Sequence, residues 1–150
     1  MRKDVLYLTA IFLLSAFGYE ASAQMIVFKP NISSDAAKIM GEACEAYARE
    51  NGWAASISVV DNAGHLIYMH RMQGAVWLSV EPSRKKAMTA LMTGRPNSGE
   101  AAMAAQRGEI AGTNVAILLD LFMAGGGLPI IVDGETAGAI GVGGTPGQDE

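Results

Sequence analysis

Cysteine is nearly absent from this chain: Cys44 stands alone among 150 residues. A single thiol excludes an intrachain disulfide, even in an oxidising compartment, so stability must come from a core or from assembly. Charge is scarce as well, at 17% of residues, with a net −4. No lysine or arginine stripe with interleaved aromatics occurs, which argues against a nucleic-acid partner. The one basic cluster, Arg84-Lys85-Lys86, reads as a solvated helix face rather than a phosphate site. A P-loop, HExxH, CxxC and G-x-S-x-G are all missing, and with them the chemistries those motifs serve. Gly125-Gly126-Gly127 leads into a strand-like run instead of opening a helix, so it is no dinucleotide fingerprint.

Hydrophobic residues, by contrast, make up 50% of the chain, which excludes a disordered polypeptide. The length suits one domain with a real core. Arg2 and Lys3 precede an almost wholly apolar stretch from Val5 to Phe17, and Ala21-Ser22-Ala23 offers a small-x-small cleavage site. That stretch is shorter than the ~20 residues a membrane span needs. Residues 1–23 are therefore expected to be a signal peptide, and residues 24–150 a single periplasmic or secreted domain with no membrane association after cleavage.

Met25 to Phe28 reads as a short extended piece, and Pro30-Asn31 as a turn. Ser33 or Ser34 can cap a helix that Asp35 favours in its first turn. Ile32, Ala36, Met40, Ala43 and Tyr47 recur at helical steps and predict its apolar face, with Cys44 a buried thiol in that stripe. Asn51-Gly52 ends it. Ala54–Val60 and His65–Arg71 flank the turn Asp61-Asn62-Ala63-Gly64 as a hairpin. Met72 to Ser79 is a loop, and a helix follows with Pro82 near its start and Gly94-Arg95-Pro96 at its end. Asn97 and Glu100 have capping-box spacing for a short helix through Gln106. Val115 to Met123 fits strand or helix equally. Asp133-Gly134, between Leu128–Val132 and Glu135–Val142, is a strong hairpin signal because a primed turn needs positive φ. Gly138 and Gly141 mark places where another backbone or a ligand comes close. The order predicts an α+β domain: an antiparallel sheet built from two β-hairpins, with helices packed on one face.

Few residues can carry chemistry. His65 and His70, five apart on one strand, point to opposite faces and cannot share a metal. His65 follows Gly64 at the hairpin mouth, where it serves either as a ligand to a metal or as a turn residue bonding the backbone. Arg71, Lys86 and Arg95 can bind a carboxylate or propionate, or simply lie along the surface. Nine methionines offer thioethers to haem iron or fill core gaps.

The blocks Val59-Val60-Asp61-Asn62-Ala63-Gly64-His65-Leu66, Arg71-Met72-Gln73-Gly74-Ala75, Lys86-Ala87-Met88-Thr89-Ala90 with Arg95-Pro96, and the closing glycine-rich hairpin together resemble one family. It is the GlcG/HbpS-like family of small haem-binding or haem-degrading domains, which also forms the C-terminal part of some corrinoid adenosyltransferases. The resemblance covers roughly Ser33 to Glu150. It implies a homo-oligomer, dimeric or higher, and haem as cofactor, with roles in haem degradation, buffering or sensing. His65 is the iron-ligand candidate, with Arg71, Lys86 and Arg95 as further cofactor-binding candidates; no catalytic residue is assigned. The alternative is an enzyme or accessory protein for a small hydroxy- or keto-carboxylate. There the three cations would hold the acid group and His65 would act as general base. Gln73 and Gly143 depart from an acidic residue and a serine usual in the pattern. The pattern also continues into a C-terminal helix that this sequence lacks, and a second subunit is expected to cover the apolar sheet surface so bared.

Overall fold

A computed structural model describes residues 27–95, 107–108 and 117–145. The expected signal peptide, the start of the extended piece, the predicted helix from Asn97 through Gln106 and residues 146–150 lie outside these. Within them, α1 (Ser34–Glu50) is followed by β1 (Ser56–Asp61) and β2 (Leu66–Arg71). A 3-10 turn (Trp77–Ser79) then leads into α2 (Val80–Thr93), and β3 (Gly127–Val132) and β4 (Glu135–Gly143) complete the order. The strands form an antiparallel sheet in the order β2-β1-β4-β3, so the two predicted hairpins join through their inner strands.

Local chemistry sets the boundaries. The Ser33 side chain accepts the Ala36 N–H at 3.2 Å and caps α1, while Gly52 turns the chain out at φ +72°. Gly94, at φ +61°, closes α2. Asp133 and Gly134 both take positive φ, 51° and 83°, the geometry a two-residue primed turn requires. Of the segment Val115–Met123, left open between strand and helix, residues 117–118 are helical, 119–120 form a turn and 121–123 have no regular structure.

Two expectations are corrected. The helices do not share a face, because β1 is buried on both sides. Ile57 packs with Ala48 of α1, whereas Val60 packs with Ala87 and Ala90 of α2. Ser56 and Ser58 lie on the α2 side as well, their hydroxyls 2.8 and 2.7 Å from those of Ser79 and Ser83. The sheet is thus the middle of three layers. The stripe that α1 buries is also displaced from the predicted one: Ala37, Gly41, Glu45 and Ala48 face inward, while Tyr47 is 58% exposed. Gly41 is where the ring of Tyr68 in β2 presses on the helix, which a larger residue would hold off. Small residues, rather than greasy ones, allow the close contact.

Candidate functional site

The β1–β2 turn builds the most ordered polar constellation near the predicted residues. Asp61, the last residue of β1, turns its carboxylate back over the loop. Its Oδ1 accepts the N–H of Ala63 at 2.9 Å and of His65 at 2.7 Å. Its Oδ2 lies 3.2 Å from Nδ1 of the His65 ring. Burial pushes the Asp61 carboxyl up, but the N–H donors and the imidazole outweigh it, leaving the group below its ordinary range. The His65 side chain is 79% exposed. A carboxylate on Nδ1 holds the ring and directs Nε2 outward, the second-shell arrangement typical of metal-ligating imidazoles. Sequence reasoning marked Asp61 only as a turn residue; its four-residue offset from His65 was the available signal.

The remaining candidates fall in three places. Gly64 packs against Met88 and Leu91 near the end of α2, which brings Arg95 to the same end of the molecule as His65. A cleft of about 400 Å³ opens there too, lined by Lys29, Asn62, Leu91, Glu135 and Thr136. Arg71 is at the far end of β2, roughly 20 Å away at ~3.3 Å per strand residue, where its guanidinium donates to the Ala75 carbonyl. Lys86 is only 4% exposed in α2, and burial pulls its ammonium down to about 8. The three cations therefore do not converge on one acid group within a chain. His70 faces α1, its Nδ1 3.0 Å from Oε2 of the buried Glu45, which also accepts from Arg49. The two histidines are separate, as expected, and no cluster of three metal-ligating side chains occurs among the described residues.

A second feature escaped sequence reasoning. An apolar cavity of about 360 Å³ lies beneath the edge of α1, bounded by Cys44, Tyr47, Trp53, Ile140, Val142 and Thr145 among others. Burial pushes the Cys44 thiol up, so it lines the wall in its neutral form.

A four-stranded antiparallel sheet with one helix on either face and an exposed, carboxylate-held histidine defines a small α+β domain. Comparison with known proteins gives its kin. Residues 32–150 match the family model described as "Haem degrading protein HbpS-like", and the chain belongs to that family. It is 36% identical to Protein GlcG of Escherichia coli strain K12 over 95 residues, 63% of this chain and 68% of that one. It is 39% identical over 120 residues to a 15.0 kDa protein of the dhaT-dhaS intergenic region of Citrobacter freundii, 79% and 84% of the two chains. The crystal structure of Klebsiella pneumoniae protein ORFY superposes with a TM-score of 0.75 at 30% identity, covering 82% of this chain and 85% of that one.

Proposed function

We propose that the protein is a haem-binding member of its family that works outside the cytoplasm as a homo-oligomer. The observation that carries this is the Asp61–His65 pair. Its Nδ1 is engaged 3.2 Å from the carboxylate and its ring is exposed, so the second nitrogen is presented as a ligand. The family's description as haem degrading supports haem as the cofactor. The residues fit haem at this end of the molecule: His65 would hold the iron, and Arg95, with Lys29 at the neighbouring cleft, would meet the propionates. Haem bound there would supply redox chemistry, or be cargo for buffering or breakdown.

The chain's own contribution is positional. Asp61 fixes the ring and its tautomer, and raises the basicity of the ligating nitrogen. So exposed a histidine covers only one side of a flat macrocycle, so a second copy of the chain closes the other side and keeps water out. Arg71, at the opposite end, has no part in this site. Hemin added to purified protein is expected to give a Soret band distinct from free hemin, weakened in His65→Ala. A spectrum identical to free hemin would defeat the proposal.

A further inference from the structure

The cavity beneath α1 is separate in space from His65 and is not used by the haem reading. We infer that it is a second binding site, for a small neutral molecule with an apolar, aromatic-sized body and one hydrogen-bonding group. Its boundary comes from two directions. From α1 come Ala43, Cys44 and Tyr47, with Trp53 just beyond the helix; from the sheet come Ile140 and Val142. Tyr47 and Trp53 stand edge to face, centroids 5.9 Å apart at 73°, and form an aromatic wall. At about 360 Å³ the space is near the lower end of small-molecule sites, roughly 300–1,000 Å³.

The chemistry of the lining selects the occupant. Among the described residues no Asp, Glu, Lys, Arg or His borders the cavity, so an ionised ligand would lose its hydration without compensation from them. That weighs against haem, whose propionates need cations. One group breaks the apolar pattern: Thr145 Oγ1 is buried with no hydrogen-bond partner among the described residues. A buried hydroxyl without a partner is costly, and a ligand carrying one donor or acceptor would satisfy it. The aromatic wall, the neutral lining and the single orphaned hydroxyl together describe a phenol or similar aromatic alcohol.

The test uses 4-propylphenol as probe and propylbenzene as the same body without the hydroxyl. In Trp77→Phe protein, Trp53 is the sole tryptophan and reports occupancy by its emission. Saturable binding is expected, with the phenol about fivefold tighter, the worth of one ordinary hydrogen bond. Thr145→Val should bring the phenol down to the affinity of propylbenzene. Ala43→Phe, placing a ring in the cavity from an exposed helix position, should abolish binding of both. Alkylation of Cys44 should slow when the probe is bound. His65→Ala should leave every one of these results unchanged, which keeps the outcome independent of the haem proposal. No saturable response, equal affinity for the two probes, binding that survives Ala43→Phe, or displacement of the phenol by hemin would each overturn the inference.

Discussion

Gly141 sits where β4 passes directly under the backbone of α2. A Cβ there would collide with the Ser83 carbonyl oxygen and come within 2.5 Å of the Ala87 nitrogen. Backbone cannot step aside as a flexible side chain can. Gly141→Ala is therefore expected to cost about 3 kcal/mol or more, measured by urea unfolding. Gly134 is the contrast: nothing lies within 4 Å of its missing side chain, but its φ is +83°. Gly134→Ala should cost only ~1 kcal/mol, the strain of the left-handed conformation. Equal losses at the two sites would contradict the distinction between close packing and turn strain. Lys86 supplies a test in pH. Its native pKa is about 8, against 10.5 for a free lysine. Between those values the unfolded chain holds a proton that the native chain has released, so stability from this group rises with pH across that window. Subtracting the Lys86→Met stability curve from wild type should isolate a rise between about pH 8 and 10.5, and a flat difference would refute it.

Elements are joined by polar contacts that hydrophobic patterning does not reveal. Glu45 is buried in α1 at 7% exposure and meets both Arg49 and His70 of β2. Glu45→Ala should cost about 2 kcal/mol, since it unmakes a hydrogen bond to a charged group and frees the helix from the sheet edge. An unchanged melting midpoint would show the contact to be incidental. This pair also explains what was legible from residue order. Both hairpins, the two ends of α1, the Gly94 end of α2 and the Asp133-Gly134 turn could be read because each depends on local φ and capping. The inward face of α1 could not, because Gly41 and Glu45 break the apolar period on that side and Ala48 is no more apolar than Ala43 on the other; the choice is decided by Tyr68 and His70 across the interface. Helices on both faces were missed for a related reason. Ser56 and Ser58 look solvent-facing beside Ile57 and Val59, yet each hydroxyl finds a buried serine on the α2 side. His65 stands out in the sequence as a candidate from its place after Gly64. Its partner Asp61 and the cavity at Trp53 required the folded chain.

At the scale of the whole molecule, Leu128 on the α1 side of the sheet is 50% exposed among the described residues and borders the cavity. At the end proposed for haem, so exposed a histidine would need a second wall. Light scattering after size exclusion should therefore give a mass of at least two subunits, and hemin should favour the assembled form; a monomer at high concentration would oppose this account. Produced with its first 23 residues in a bacterial host, the protein should be recovered from the periplasm beginning at Gln24, with intact Met1 material in the cytoplasm as the opposing result. The central claim is that His65 ligates haem iron, and chemical rescue tests it most directly. Hemin is titrated into wild-type protein and into His65→Gly, then free imidazole is added to the variant. The account predicts a wild-type Soret band that is lost in His65→Gly and restored by imidazole; an unchanged band in the variant would contradict it.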